Sequence, residues 1–142
     1  MTKEAIPQAI HRVLCTQADV EKFWTEICHP LGWARHDLWF VIVGADRCPL
    51  PLVQDVRDRP PEVEPELVQN LVEVWRRVRE ELVPDGTIAV LLCRPGSAAV
   101  SAGDRAWAGA ITAEAAVAGV PLEVIHVASD EAITPLPLDA VA

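Results

Sequence analysis

The 142-residue sequence has no tyrosine, two phenylalanines and one methionine, so its five tryptophans supply most of the aromatic side chains. It is also short of basic residues: 12 Lys and Arg stand against 21 Asp and Glu, which gives a formal net charge of -9. A chain of this charge repels a phosphate backbone, and no basic run is longer than Arg76-Arg77, so we expect no nucleic-acid binding. No apolar run is long enough to span a bilayer, so we expect no membrane insertion.

Closely spaced cysteine pairs are also missing. The four cysteines, at positions 15, 28, 48 and 93, contain no C-x-x-C pair, and scattered thiols of this kind are usually free core residues in a reducing compartment. Residues 1–13 lack the continuous apolar stretch of a signal peptide. We therefore expect an acidic, cytoplasmic protein without disulfides.

The hydrophobic pattern predicts a single α/β domain. The continuous apolar runs at residues 38–43 and 87–93 are typical of buried strands. Pro49 and Pro51 restrict the run at 50–56 to an edge or hairpin strand, because proline cannot donate a ladder hydrogen bond. In chain order, the predicted elements are a short helix or arm at 6–14, a helix at 17–28, strands at 38–43 and 50–56, an exposed connector at 55–65, a helix at 66–82, a strand at 87–93, a helix at 101–118, a strand at 122–127, and a tail that contains Pro135 and Pro137.

Two of the predicted helices carry clear end signals. Thr16 precedes Asp19 by three residues and Ser101 precedes Asp104 by three, which is the spacing of a helix-capping arrangement. Gly119 readily adopts the left-handed conformation that ends many helices. Capping alone is therefore one sufficient explanation for Ser101 and Asp104.

The stretch that links the third predicted strand to the last helix has a distinctive spacing. It reads Leu91-x-Cys93, seven residues, then Ser101-x-x-Asp104, and Arg94 begins the Pro/Gly loop between them. With the order of the surrounding elements, this stretch resembles the JAB/MPN metalloprotease-type domain, and in particular its RadC-type bacterial branch. In that family the motif is His-x-His, seven residues, Ser-x-x-Asp: the histidines and the aspartate bind zinc, and the serine helps to stabilise an oxyanion.

The resemblance, which covers residues 37–129, implies a fold and a domain organisation. The expected fold is a mixed central sheet flanked by helices, of the cytidine-deaminase-like type, formed by residues 37–142. Residues 1–36 are then a helical extension packed on this core. By position, Asp37 is the nearest counterpart of the family's general-base glutamate.

Leu91 and Cys93 stand where that motif has its zinc-binding histidines. A hydrolytic zinc needs three protein ligands, whereas leucine has no ligating group and only Cys93 and Asp104 remain. We therefore expect no metal and no cofactor, and we favour a pseudoenzyme, without enzymatic activity. The first hypothesis is a protein-interaction or scaffold module that binds a protein partner or forms a homodimer.

The same loop supports a second hypothesis, the binding of a small anion or a nucleotide-type ligand. Gly96 and Gly103 flank a loop whose backbone amides can hold an anion at a helix N-terminus, and two arginines can supply charge. No G-x-G-x-x-G pattern accompanies them. The candidate ligand-binding residues are Arg94, Ser97, Ser101, Asp104 and Arg105.

Two further side chains are candidates outside this loop. His126 can serve as a base for Cys93 or Ser101, but the G-x-S-x-G elbow is absent, and a strand histidine is usually satisfied locally. Trp33 lies in a glycine-containing turn, so we expect it to be exposed and to anchor a protein interface.

Overall fold

A computed structural model describes residues 12–137 of the chain. Most of the helix or arm predicted at 6–14 lies outside that range. Among the described residues, no helix combines the length and the apolar character needed to cross a membrane. The helices and strands are α1 (Gln17–Ile27), β1 (Asp37–Val43), β2 (Gln54–Val56), α2 (Pro65–Leu82), β3 (Thr87–Cys93), α3 (Ala102–Ala118), β4 (Ile125–Ala128) and β5 (Ile133–Leu136).

The strands form one mixed sheet in the order β2-β1-β3-β4-β5. β1 is antiparallel to both β2 and β3, whereas β3 and β4 are parallel and are connected through α3. β5 then returns antiparallel to β4. The predicted α/β class, with a mixed central sheet flanked by helices, is confirmed.

Helices cover both faces of the sheet, because the long strands β1 and β3 point alternate side chains into two cores. On one face, residues such as Phe40 and Leu92 pack against α2 and α3. On the other face, Trp39 and Leu91 pack against α1. All seven residues of β1 are buried, as the continuous apolar run predicts.

The edge strand predicted at 50–56 is shorter in the structure. Only Gln54–Val56 pairs with β1, although the Leu50 N–H also donates to the Ile42 carbonyl oxygen at 2.8 Å. The strand predicted at 122–127 begins three residues later, at Ile125. Leu122 makes only an isolated bridge to Ile88, and the Glu123 side chain accepts hydrogen bonds from Arg47 and Thr87.

The prolines of the predicted tail do not prevent a strand there. Ile133–Leu136 forms β5, in which Pro135 lies opposite His126. Because β5 is an outer strand of the sheet, the missing N–H of Pro135 leaves no gap in an interior ladder. The segment predicted only as a proline-containing tail therefore includes a strand.

Candidate functional site

The motif positions meet at the carboxyl end of β3, but their side chains do not converge. Leu91 and Cys93 are fully buried in the core beneath α1, on the face of the sheet opposite α3. Burial, with the nearby Cys28 and Asp37 as further causes, raises the pKa of the Cys93 thiol well above its usual value. A buried neutral thiol and a leucine do not form the donor set of a zinc site.

Asp104 is held at the start of α3 by helix capping. The Ser101 hydroxyl accepts the Asp104 N–H at 3.0 Å, and the Asp104 carboxylate accepts the Ser101 N–H at 2.9 Å, which completes a reciprocal capping box. This local interaction was predicted from the spacing. It places a carboxylate that is only 2% exposed next to the end of β3.

Arg94 neutralises that carboxylate directly. Its Nε lies 2.8 Å and 3.0 Å from the two Asp104 oxygens, and its Nη2 lies 2.8 Å from Oδ2. Burial alone would raise the pKa of Asp104, but the hydrogen bonds from Arg94 and Ser101 outweigh it and keep the pKa below its usual value. A guanidinium therefore occupies the lone pairs that a metal ion would need.

The remaining donors of Arg94 shape the loop that follows β3. Nη1 donates to the carbonyl oxygens of Pro95 and Ser97 at 3.1 and 2.9 Å, and Nη2 donates to that of Ala99 at 2.8 Å. The loop thus curls around a guanidinium whose Nε, Nη1 and Nη2 are all engaged inside the protein. In this conformation Arg94 offers no nitrogen without a partner to an external anion.

The backbone amides of the same loop also have partners within the chain. The Gly96 N–H donates to the Asp130 carboxylate at 2.9 Å, and the Ala98 N–H donates to the Glu131 carboxylate at 2.6 Å. The other oxygen of Asp130 accepts the Trp33 N–H, which ties a third loop to this end of the sheet. These N–H groups bind carboxylates of the protein itself, as a loop suited to anions would.

The other predicted ligand-binding residues lie at the rim. Ser97 and Arg105 are exposed, and the Arg105 side chain makes no hydrogen bond to any residue between 12 and 137. Ser101 is exposed too, but its hydroxyl is used in the helix cap. The structure therefore brings Arg94, Ser101 and Asp104 together as one internal cluster and leaves Ser97 and Arg105 outside it.

Arg59 is a buried part of this region that the sequence pattern did not reveal. It is 3% exposed, its Nε donates to the Asp37 carbonyl oxygen and its Nη2 to that of Cys93, and its guanidinium lies 5.1 Å from the Trp107 ring centroid. It therefore ties the ends of β1 and β3 together. Its position in the Pro-rich connector gave no periodic signal.

Asp37 and His36 flank this pair of arginines. The Asp37 carboxylate accepts Arg35 Nε at 2.9 Å and the Asp58 N–H at 2.7 Å, so one of its oxygens is already used within the protein. Partial burial lowers the pKa of His36, and the nearby Arg59 and Arg94 lower it further. The Asp37 carboxylate is thus engaged in fixing this loop.

His126 does not complete a nucleophile and base pair. It is fully buried, with Nδ1 3.0 Å from the Val124 carbonyl oxygen and Nε2 3.1 Å from the Gln17 side-chain nitrogen. Both ring nitrogens therefore contact groups other than Cys93 and Ser101. As expected for a histidine on a strand, both ring nitrogens have hydrogen-bond partners within the protein.

Trp33 is less exposed than its glycine-containing turn suggested. It is half-buried and packs edge-on against Trp39, with ring centroids 5.6 Å apart. It is still the most exposed of the five tryptophans, because the other four are buried. Its turn folds back over the sheet and is held there by Asp130. Trp33 lines a cleft beside β2, and its role as an interface anchor stays a prediction.

We compared the chain with known protein families, proteins and structures. No family model, curated protein or solved structure matches the chain. Within residues 12–137, no three His, Cys, Asp or Glu side chains are grouped so that they could hold a metal ion. At the end of β3, the Arg94–Asp104 ion pair and the loop amides therefore have their hydrogen-bond partners within the chain.

Proposed function

We propose that the chain is a catalytically inactive JAB/MPN-like domain that serves as a protein-interaction or scaffold module. The observation that carries the proposal is the Arg94–Asp104 ion pair. Asp104 lies where the family has its third zinc ligand, and here it binds a guanidinium at 2.8 Å. The positive charge that zinc would supply is replaced by a side chain of the protein.

The frame around this pair supports the same interpretation. A buried strand, a Pro/Gly loop and a Ser-x-x-Asp helix follow one another with the family's spacing, inside a mixed sheet with helices on both faces. A buried ion pair is poor evidence of stabilisation by itself, since apolar replacements can be equally stable. A domain that keeps the arrangement of strand, loop and helix but lacks the zinc-binding histidines is consistent with a role in binding.

Exposed apolar side chains favour one end of the domain for a protein contact. Val117 is 84% exposed and Leu82 63%. They lie near the carboxyl ends of α3 and α2, which are neighbouring helices. α2 leads into β3 and α3 leads into β4. Because these strands are parallel, both helices end near the end of the sheet at which the two strands begin. We place the self-association contact there.

The anion-binding alternative has less support, because most of the groups that would bind the anion, apart from the exposed Ser97 and Arg105, already have partners. Arg94 is engaged with Asp104 and three carbonyl oxygens, and the loop amides donate to Asp130 and Glu131. An external anion would have to displace these carboxylates. The negative net charge of the chain opposes that exchange.

Zinc dialysis tests the inactive site. Purified protein equilibrated with zinc should retain far less than one ion per chain at any specific site. Retention of one zinc ion per chain that is lost in Cys93→Ser and in Asp104→Asn would contradict the proposal. A destabilised variant is recognised by its circular dichroism spectrum, so that loss of metal is not confused with loss of fold.

Sedimentation velocity tests the association. We expect reversible dimer formation that the double variant Leu82→Glu and Val117→Glu abolishes. Val74→Glu is the matched control, because Val74 is also exposed on α2 but lies mid-helix. A chain that stays monomeric at all concentrations, or a dimer that Val74→Glu disrupts equally, would contradict self-association through these helix ends.

A further inference from the structure

A cleft of about 420 Å³ lies beside the edge strand β2 on the face of the sheet that α1 covers elsewhere. Its volume is in the range of small-molecule sites. It is separate from the Arg94–Asp104 loop, and none of the predicted ligand-binding residues lines it. The lining residues are Trp33, Ala34, Arg35, Asp37, Trp39, Val53, Asp55 and Arg57.

Two indole rings give the cleft an aromatic wall. Trp39 projects from β1 and is almost completely buried, and the half-buried Trp33 packs against it at an interplanar angle of 88°. Trp39 is thus fixed by the core, while Trp33 is held by the Asp130 carboxylate through its backbone N–H. Rigid aromatic side chains of this kind contact a ring at little cost in conformational entropy.

Two arginine–aspartate pairs give the same cleft a polar rim. Arg35 Nε donates to Asp37 and Arg57 Nε donates to Asp55, each at 2.9 Å. Both terminal nitrogens of each arginine, and the second oxygen of each aspartate, have no hydrogen-bond partner between residues 12 and 137. The rim therefore has unused donors and unused acceptors side by side.

We propose that this cleft binds a free aromatic α-amino acid. The ring would contact the indoles of Trp33 and Trp39, the ligand carboxylate would accept hydrogen bonds from the arginine Nη groups, and the ammonium would donate to the free oxygen of Asp55. Asp55 is more accessible to the ligand than Asp37, because its side chain is 40% exposed and that of Asp37 only 8%.

The charges select a zwitterion over an anion or a cation. The two arginines and two aspartates sum to zero, so the rim attracts neither sign of charge strongly but can pair with both at once. The chain as a whole carries -9, which disfavours multiply charged anions such as nucleotides. An aromatic amino acid is net neutral, carries both charges within one small group, and has one ring for the indole wall.

Isothermal titration calorimetry with L-phenylalanine tests the proposal on the full chain. We expect saturable binding to one site. Three analogues remove one interaction each: 3-phenylpropionate lacks the ammonium, phenethylamine lacks the carboxylate, and glycine lacks the ring. Each should bind at least about tenfold more weakly, since a charge-assisted hydrogen bond or an aromatic contact is lost.

Variants locate the binding. Arg35→Gln, Asp55→Asn and Trp33→Ala should each weaken L-phenylalanine binding at least about fivefold, since each removes one proposed contact. Arg77→Gln is the control, because this exposed arginine lies on α2, away from the cleft. Circular dichroism checks that each variant is folded.

Three results would overturn the proposal: no heat of binding for L-phenylalanine, equal binding of 3-phenylpropionate, or binding that Asp55→Asn leaves unchanged. The proposal does not depend on the function proposed above. Zinc binding or a monomeric chain would contradict that function without affecting the cleft.

Discussion

Replacing Arg94 with methionine should destabilise the protein strongly, because it leaves a buried carboxylate without its partner. Arg94 makes three contacts of 2.8 to 3.0 Å with Asp104 and also holds three loop carbonyl oxygens. Removing one partner of a buried pair costs about 3–5 kcal/mol. The exposed loop carbonyls can turn to water, so we expect a total loss of about 4 kcal/mol in the free energy of unfolding.

Urea unfolding at pH 7, followed by tryptophan fluorescence, measures this loss. With a urea dependence of about 2 kcal/mol per molar, the midpoint should fall by about 2 M. Arg94→Lys should recover part of the loss, because lysine restores the charge but not the planar set of donors. A loss below about 1 kcal/mol would refute the importance of the pair.

A double-mutant cycle and the pH dependence separate the ion pair from general packing. The double variant Arg94→Met and Asp104→Asn should be less destabilised than the sum of the single variants by about 2 kcal/mol. In the native protein the pKa of Asp104 is lowered, so its contribution is present above the unfolded-state value near 4 and is lost as pH falls through the folded value. Without the hydrogen bonds and charge of Arg94, the pKa of Asp104 should rise from its native value, so the defect of Arg94→Met should shrink on acidification. Additive variants with a pH-independent defect would contradict the pairing.

Three other features of the chain yield predictions. Burial lowers the pKa of His126 to about 4, from an ordinary 6.5. The unfolded state therefore binds a proton at a higher pH than the folded state does. The free energy of unfolding should fall by up to about 3 kcal/mol as the pH drops from about 6.5 to about 4. His126→Gln should flatten that part of the stability curve, and an unchanged slope would exclude this residue as its cause. Gly119 has φ +73°, so Gly119→Val should lower the free energy of unfolding by about 1–2 kcal/mol. Gly103 lies in ordinary helix, where an added methyl group would make only van der Waals contacts with Ser101 Oγ at 3.7 Å and the Pro61 carbonyl oxygen at 3.8 Å, so Gly103→Ala should raise the free energy of unfolding by up to about 1 kcal/mol. Equal melting temperatures for these two glycine variants would contradict the assigned helix end. Cys93 is buried and its pKa is raised, so a thiol reagent should modify the exposed Cys15 rapidly and Cys93 only on unfolding; fast modification of Cys93 in the native state would contradict its burial.

The central part of the fold could be predicted because it follows from local patterns. The apolar runs of β1 and β3 required strands buried on both faces, and Ser101 with Asp104 required a helix start. Gly119 ends α3 in the left-handed conformation that its lack of a side chain allows. Each of these signals acts within a few residues of the chain.

The parts that could not be predicted depend on distant contacts. β5 pairs with the edge of β4, which its own local sequence pattern does not show, and Pro135 is tolerated because β5 is itself an outer strand. The role of Arg94 follows from a carboxylate ten residues away, and that of Arg59 from carbonyl oxygens on two strands. An arginine in a loop belongs to no periodic pattern, so the sequence does not show whether its side chain is exposed at the surface or buried against carboxylate and carbonyl oxygens.

Crystals of the wild-type protein grown with zinc and without chelator give the most direct test of the central claim, that a guanidinium replaces the metal. We predict that Arg94 lies within hydrogen-bond distance of both Asp104 oxygens and that no metal density lies between residues 91, 93 and 104. A zinc ion about 2.0–2.3 Å from the Asp104 carboxylate and the Cys93 sulfur, with Arg94 turned away, would contradict the account.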